Sequence, residues 1–268
     1  MRMSLDSQRL FEAYVHDQQD LPLPGYALEA LPHLRRHIPL GAAADHEALL
    51  CFARLSPGDE LAQIQAQIEF FRARKQDFEW KVYALDQPTD LKQMLESQGF
   101  LADDPEVFMT YSLRGASRPA RALPAGVEIR RLSRPEQLDD ILQVQAQIWG
   151  RDFEWLRAKL ATSLEQPEAI SLFCAYADGQ SIASGWTDYP AGSRFAELHG
   201  GAVLPAWRGR GVFSALLDVR IRDAAQRGYE WLAVDAAPMS HPILLAQGFT
   251  PVCMTWPLRK AHTQACAE

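Results

Sequence analysis

The strongest constraint on the fold is a strand, a glycine-rich loop, a helix and a second strand that follow one another between residues 195 and 236. "RFAELHGGAVL" is strand-like and "WLAVDA" is an apolar, buried-type strand. Between them an apolar face recurs at helical spacing, formed by Phe213, Leu216, Leu217, Ile221 and Ala224. Arg227 and Gly228 end this helix, because a cation suits the C-terminal dipole and glycine adopts a left-handed cap. A strand, a crossover helix and a strand form a right-handed parallel unit, so the sequence predicts an α/β fold.

The preceding residues add further elements to the same sheet. "VEIRRL" is a predicted strand, and "PEQLDDILQVQAQIWG" and "FEWLRAKLATSLEQ" are predicted helices. "AISLFCAYADG" and "QSIASGWTDYP" form a predicted strand pair, with Asp178 and Gly179 as the hairpin turn. Antiparallel pairs beside a parallel unit predict a mixed sheet.

A repeated order of elements predicts that the chain is a duplicated domain. "FEWKVYALDQPTDLKQMLESQGF" (Phe78–Phe100) and "YEWLAVDAAPMSHPILLAQGF" (Tyr229–Phe249) share Glu-Trp, a strand, a proline-containing loop, a short helix and Gln-Gly-Phe. "RGASRPARALPAG" separates the halves and has no hydrophobic period. We therefore expect one domain over residues 1–115, a linker over 116–126 and a second domain over 127–268.

Composition restricts the classes of partner. The chain has 268 residues, a formal net charge of −7 and a pI of about 5.5, which argue against a nucleic-acid partner. The N terminus has no apolar signal core and no run approaches the length of a membrane span, so a cytoplasmic location without membrane contact is the default expectation.

The four cysteines have no CxxC spacing, and we expect buried thiols at Cys174 and Cys253. His33 and His37 have helical spacing without a third ligand, so we expect a solvated helix face and no metal site.

The glycine-rich loop predicts a site for an anion. Glycines at positions 209 and 211 leave the backbone open to a ligand, and the first amides of the following helix carry partial positive charge. Arg208 and Arg210 add mobile positive charge. A Walker loop requires a lysine that is absent here, and a Rossmann fingerprint fails because Ser214 stands at its third glycine.

"VLPAWRGRGVFSALL" resembles the Arg-x-x-Gly-x-Gly/Ala loop of the GCN5-related N-acetyltransferases (GNAT) and the V-x-P strand end that precedes it. The resemblance extends from Val127 to about Leu258 and includes the terminal "LLAQGF" with its following strand. It departs at Phe213, where the family has glycine or alanine, and this ring must turn into the core. The resemblance implies the GNAT fold, a mixed and mostly antiparallel sheet with a splayed parallel strand pair, here in two tandem domains.

The resemblance also implies acetyl-CoA as co-substrate. In the family the edge of the fourth strand binds the acetyl carbonyl and pantetheine, the loop holds the pyrophosphate, and an asparagine downstream often contacts the cofactor. The matching positions here are Gly201, Ala202, Val203, Arg208, Gly209, Arg210, Gly211, Val212, Phe213, Ser214 and Ser240. Ser240 fits equally well as the N-cap of a helix that starts at His241. The doubled glycine at 200 and 201 predicts a bulge in the strand.

Three residues are candidates for the general base that acetyl transfer to an amine requires. Glu197 and His199 share a face of the fourth strand of the second domain, "RFAELHGGAVL", and Asp235 lies on the fifth strand, "WLAVDA". The Val203 amide is the candidate donor to the thioester oxygen. Leu244 stands where many family members have a tyrosine acid, which favours direct attack without an acid. The end of the third strand offers candidates for the acceptor pocket, Trp186, Asp188 and Tyr189.

The sequence favours an N-acetyltransferase acting on a small-molecule amine or an amino terminus. An acyl-CoA-binding sensor without catalysis is the alternative, and an acyltransferase using aminoacyl-tRNA is disfavoured by the acidic charge balance. The first domain is a degenerate copy, because "RLSPGDELAQIQAQIEFF" replaces the glycine loop and its Asp59 and Glu60 would repel a pyrophosphate. Neither the acceptor nor the oligomeric state is evident from the sequence.

Overall fold

The computed structural model describes residues 5–41, 46–115 and 122–263, which form two compact units. The first unit comprises the chain up to residue 109 together with 235–246 and 250 onward, and the second comprises 110–234 and 247–249. Residues 116–121 of the predicted linker lie outside the described residues. The last strand of the chain therefore belongs to the first unit.

The first unit is built around a five-strand order, β1-β2-β3-β4-β12, with β5 also paired to β12. Strands β3 and β4 are parallel and joined by α2, whereas the pairs β1–β2, β2–β3, β4–β12 and β5–β12 are antiparallel. The elements are α1 (Leu5–Gln18), β1 (Tyr26–Leu31), β2 (Leu34–Pro39), β3 (Ala48–Cys51), α2 (Glu60–Arg74), β4 (Phe78–Tyr83), α3 (Leu91–Ser97), β5 (Leu101–Ala102), α7 (His241–Ala246) and β12 (Thr250–Lys260). Strand β6 (Glu106–Ser112) crosses from the first unit into the second.

The core of the first unit shows why the C-terminal strand is needed there. Trp80 on β4 and Leu258 on β12 are direct cross-strand partners, and both are fully buried. They share one cluster with Phe71 of α2 and Phe100. The predicted helix for His33 and His37 is wrong, because His37 lies in β2 and His33 in the turn that precedes it. The alternation of apolar and polar residues that indicates a strand is not visible there, because Arg35 and Arg36 are two charged residues in succession.

The second unit has the order β11-β10-β9-β8-β7, antiparallel except for the parallel pair β10 and β11. Its elements are β7 (Val127–Leu132), α4 (Leu138–Trp149), α5 (Glu154–Leu164), β8 (Ile170–Ala177), β9 (Gln180–Asp188), β10 (Phe195–Val203), α6 (Val212–Gln226) and β11 (Trp231–Ala236). The predicted hairpin at Asp178 and Gly179 is confirmed, with positive φ at both residues. The mixed, mostly antiparallel sheet with a parallel pair is likewise confirmed.

The parallel pairing in the second unit is short. It covers three residue pairs and ends at Glu197 opposite Ala233, whereas β10 continues to Val203. The remainder of β10 pairs only with β9 among its described sheet partners. One edge of β10 is thus without a ladder partner from β11 over its last residues.

The predicted bulge in β10 is confirmed. The cross-strand pairs run from His199↔Trp186 directly to Ala202↔Ser184, so Gly200 and Gly201 together oppose Gly185. Gly200 has φ +57, and a Cβ placed on it would lie 1.8 Å from Cζ3 of Trp186. Glycine is required there by both the backbone and the indole ring, because no side chain fits.

Within the described residues, no helix combines the length and the apolar character needed to cross a bilayer.

Replacing Leu258 with alanine should destabilise the first unit by about 2–5 kcal/mol, because a fully buried leucine leaves a cavity beside Trp80. Chemical unfolding followed by tryptophan fluorescence measures this free energy. The matched control is Leu101→Ala, whose side chain is 76% exposed and should cost within about 0.5 kcal/mol. Equal losses in the two variants would contradict the placement of β12.

Replacing Gly200 with alanine should lower the free energy of unfolding by roughly 2–5 kcal/mol, combining a left-handed backbone with a clash against Trp186. Gly192→Ala is the control, since Gly192 also has positive φ but meets no atom within 4 Å. It should show only the backbone cost of about 1–2 kcal/mol. If the two variants lost the same stability, the indole would not be seated against Gly200.

Candidate functional site

The loop between β10 and α6 presents backbone amides at a helix N terminus. Gly209 and Gly211 adopt positive φ, and Gly211 is the N-cap of α6. The first intrahelical bond runs from the Ala215 amide to the Gly211 carbonyl, so the preceding amides of the first turn have no carbonyl partner within the helix. A Cβ on either glycine would meet nothing within 4 Å, so the space in front of this turn is open. This geometry suits an anion.

The two arginines of the loop have different surroundings. Arg208 donates from Nε to the Val203 carbonyl at 3.1 Å, which ties the loop to the end of β10. Arg210 lies over the ring of Trp207, with its guanidinium carbon 5.0 Å from the ring centroid. Both residues are exposed and keep their remaining donors available at the helix N terminus.

The Val203 amide faces the edge of β10 that β11 leaves unpaired. The Leu204 amide donates to Ile182 of β9 at 2.9 Å, and successive residues of a strand direct their amides to opposite edges. The Val203 carbonyl, bound by Arg208, lies on the same free edge. An N–H group there can donate to a ligand placed between β10 and β11.

The Phe213 ring lies half-buried over the bulge. Its Cε2 atom is 3.4 Å from the position that a Cβ on Gly201 would take, and the ring packs on the cluster that contains Val203, Val212 and Leu216. The expectation that this ring turns toward the core agrees with that packing.

Glu197 and His199 lie together with Asp188 of β9. His199 Nε2 is 3.6 Å from Glu197 Oε2 and 3.5 Å from Asp188 Oδ2. The imidazole is 38% exposed, and the two carboxylates are more buried. Trp186 is buried and stacks on the imidazole, with centroids 6.1 Å apart. The cluster combines two proton acceptors and an imidazole at an accessible point of β10.

Helix α4 contacts the bulge on the face that carries the Trp186 ring. Gln145 is buried and donates from Nε2 to the Gly200 carbonyl at 2.8 Å and to Ser184 Oγ at 2.9 Å. Its Oε1 accepts from Nε1 of Trp149 at 3.1 Å, and Trp149 itself is 54% exposed. An exposed indole is therefore linked to the bulge through one amide side chain.

Helix α6 contacts the bulge with a buried arginine. Arg220 donates to the carbonyls of Trp186 and His199, the latter at 3.0 Å. Its Nε lies 3.3 Å from Thr187 Oγ1. The two strands at the bulge are thus bridged from this helix.

Asp235, Ser240 and Leu244 lie in the first unit. The Asp235 carboxylate forms an ion pair with Lys81 and accepts from Thr255 Oγ1 at 3.5 Å. Burial acts to lower the pKa of Lys81, but Asp235 and its acidic neighbours raise it above its usual value. Ser240 Oγ donates back to the Ala237 carbonyl at 3.1 Å, and α7 begins at His241 as expected. Leu244 is buried.

Tyr189, a predicted acceptor residue, is buried and donates from its hydroxyl to Asp223 of α6 at 2.7 Å. Burial and this bond raise the pKa of Tyr189. Its contacts are those of a packing residue. Trp186 also belongs to the buried core, but its ring stacks on the His199 imidazole, which Asp188 approaches as well.

Sequence reasoning missed Gln145, Arg220 and Gly185. A signal was present for the first two, because each lies on the apolar stripe of its helix. Gln145 follows Leu138 and Ile141 at helical spacing, and Arg220 stands between Leu216 and Ala224. A polar residue on a buried stripe needs hydrogen-bond partners in the fold. No local pattern identified Gly185, whose partner residues are distant in sequence.

Comparison with known proteins supports one family. A model of the acetyltransferase (GNAT) family matches residues 135–248. A search of curated protein sequences finds no match.

Solved structures share the fold over almost the whole chain. A GCN5-related N-acetyltransferase from Kribbella flavida is 13% identical with a TM-score of 0.71, over 97% of this chain and 96% of that one. A counterpart from Sphaerobacter thermophilus is 17% identical with a TM-score of 0.62, over 96% and 87%. A tandem GNAT protein from the clavulanic acid biosynthesis pathway is 15% identical with a TM-score of 0.60, over 91% and 86%. The chain therefore has the GNAT fold, and its residues 135–248 match the model of the acetyltransferase (GNAT) family.

Proposed function

We propose that the protein is an N-acetyltransferase that moves an acetyl group from acetyl-CoA to the amine of a small molecule or an amino terminus. The observation that carries this proposal is the open edge of β10 leading into the glycine loop. Pairing with β11 ends at Glu197, the bulge follows, and the strand runs directly into the N terminus of α6. One continuous segment thus offers edge amides for an acyl chain and helix amides for a phosphate.

Acetyl-CoA fits the residues of the second unit. Its pyrophosphate would bind the amides from Gly209 to Ser214, where the helix dipole and Arg210 favour negative charge. Its pantetheine and acetyl groups would lie along Gly201, Ala202 and Val203. When bound there, the thioester supplies an activated acetyl carbon for attack by the amine.

The Val203 amide would stabilise the negative charge that develops on the thioester oxygen, because it faces the free edge of the strand. The amine nitrogen attacks the carbonyl carbon, the new C–N bond forms, and the C–S bond then breaks with the electron pair leaving on sulfur. The nitrogen loses one proton in the process, so a base must accept it.

Glu197 and His199 are the bases that we assign to this step. Their side chains lie 3.6 Å apart on β10 and the imidazole is partly exposed, so either takes the proton directly or passes it to the other. Asp188 Oδ2 lies 3.5 Å from the same imidazole, on the neighbouring strand β9. Asp235 is a weaker candidate, because its carboxylate is the counter-ion of Lys81.

Direct attack is favoured over a covalent cysteine intermediate. Cys51, Cys174 and Cys253 are buried, and burial raises the pKa of both Cys174 and Cys253 to about 12. A thiol with such a pKa is protonated at neutral pH and is a poor nucleophile. Among the described cysteines none is therefore suited to carry the acetyl group.

Within the part of the chain that the structure describes, the first unit lacks the features proposed for cofactor binding. Its corresponding helix, α2, follows Asp59, and the Gly58 amide donates to Glu60 Oε2 at 2.9 Å. The Glu60 carboxylate thus accepts a hydrogen bond from an amide near the N terminus of this helix. Its negative charge would repel a pyrophosphate there. The parallel pair β3 and β4, joined by α2, supports descent of this unit from a duplicated domain.

A sensor that binds acyl-CoA without catalysis is the second candidate. Leu244, buried and apolar, occupies the position where the family resemblance leads one to expect a tyrosine acid. Turnover of acetyl-CoA against a panel of amines distinguishes the two functions, because a sensor binds CoA without releasing free thiol.

Replacing Gly211 with aspartate should raise the Kd for CoA by at least about 10²-fold, since like charges brought together cost several kcal/mol. Calorimetry on the full chain measures the affinity. Gly192→Asp is the matched control, because it adds the same charge at another glycine with positive φ. CoA binding by Gly211→Asp with unchanged affinity would place the pyrophosphate elsewhere.

Replacing Glu197 with glutamine should lower kcat by about 10²–10⁴-fold with little change in the affinity for acetyl-CoA, because only basicity is lost. The measurement is steady-state kinetics with an amine found in the panel, together with His199→Gln. Glu128→Gln, an exposed glutamate on β7, is the control and should leave kcat unchanged. A loss with His199→Gln alone would assign the base to the histidine, and no loss in either would exclude both.

A further inference from the structure

Arg220 is a buried cation to which the chemistry above gives no role. Its side chain lies in the interior of the second unit, where it is 3% exposed. Burial lowers the pKa of Arg220 to about 10, so the guanidinium stays charged at neutral pH. Asp188 acts favourably on it through space, but among the described residues no carboxylate makes an ion-pair contact with it.

Two hydrogen bonds of Arg220 go to backbone carbonyls at the bulge, and its Nε donates to Thr187 Oγ1. A buried charge is costly unless its donors are satisfied, and a bulge interrupts the ladder that would otherwise satisfy the strand carbonyls. One nitrogen, Nη2, donates to the carbonyls of both His199 on β10 and Trp186 on β9. These two residues are the last cross-strand pair before the bulge. The guanidinium thus joins the two strands where the ladder is interrupted.

The guanidinium of Arg220 packs closely against two glycines. A Cβ on Gly185 would lie 2.9 Å from Nη1 of Arg220, and a Cβ on Gly201 would lie 3.4 Å from it. The two glycines of the bulge therefore leave space for a neighbouring side chain on each face of the sheet. Gly200 makes room for the Trp186 ring, and Gly201 together with Gly185 makes room for Arg220.

We propose that Arg220 is a positioning residue for acetyl transfer, an inference that rests on the proposed function. By holding the His199 carbonyl it fixes the direction in which β10 leaves the bulge. The same contact sets the Val203 amide on the free edge and the backbone from which the His199 imidazole projects. Arg220 thus aligns the oxygen donor and the candidate base with each other while touching neither substrate.

The test compares Arg220→Met with the unaltered full chain. Methionine is apolar and of similar length, and replacing a buried ionic group by a packed apolar one is often tolerated by a fold. We expect kcat to fall by about 10²-fold, as a misplacement of about 1 Å at a reacting group can cause. The Kd for free CoA should stay unchanged, because the loop holds the pyrophosphate.

A second readout is independent of catalysis. The Leu204 amide, bonded to Ile182 just beyond the bulge, should exchange its hydrogen at least about tenfold faster in Arg220→Met, as expected for local opening. The Ala48 amide, bonded to Asp77 in the first unit, should exchange at its original rate. Gly185→Ala should reproduce both effects in weaker form, because its methyl group displaces the guanidinium.

The controls separate a positioning role from general stability. Arg222→Met removes an arginine from the same helix that has no hydrogen bond to β9 or β10 within the described chain, and it should change neither readout. Arg220→Lys keeps the charge and should recover part of kcat. Unchanged kcat and exchange in Arg220→Met would overturn the proposal, as would a loss of kcat that merely follows a lower Tm. If the unaltered protein neither bound CoA nor acetylated any amine, the proposed function itself would fail, whereas the exchange data would still decide whether Arg220 holds the bulge.

Discussion

The site in the second unit depends on the bulge in β10, the extra residue that this strand carries opposite Gly185. Without the bulge, β10 would pair with β9 in one register along its whole length. A bulge bends the strand that carries it, so the end of β10 can separate from β11. With the bulge, the register changes after His199, and the Val203 amide faces the edge that β11 leaves unpaired. Gln145 from α4 and Arg220 from α6 hold this bend from opposite faces by bonding adjacent carbonyls, those of Gly200 and His199.

The bulge also separates two groups of opposite charge along one strand. Before it lie Glu197 and, on the neighbouring strand, Asp188, both beside the imidazole of His199. After it come the glycine loop, the helix N terminus and Arg210. The chain is acidic overall, so positive potential here is local, created by amides and a few guanidiniums. An anionic cofactor and a cationic amine would therefore be attracted to opposite ends of the same short segment.

Local chemistry determined which parts of this arrangement could be predicted. The hairpin at Asp178 and Gly179, the helix beginning at Val212 and the bulge at the doubled glycine follow from residues adjacent in sequence. Arg220 and Gly185 could not be connected, because their contact depends on packing of a helix against a strand 35 residues earlier. The hairpin at His33 and His37 was missed since charged residues concealed the strand period. The roles of Glu197 and His199 stay a prediction, because placement shows proximity and leaves the proton path to kinetics.

The position of β12 restricts how the first unit can fold. Leu258 pairs with Trp80 across nearly two-thirds of the sequence, so the core of the first unit is completed only by the last strand of the chain. Contacts between residues so far apart close late in folding, since the loop entropy must be overcome first. The core of the first unit can therefore close completely only when β12 is in place. The first unit therefore has a structural reason to be retained, because its core buries Leu258 of the strand that follows the residues matched by the family model.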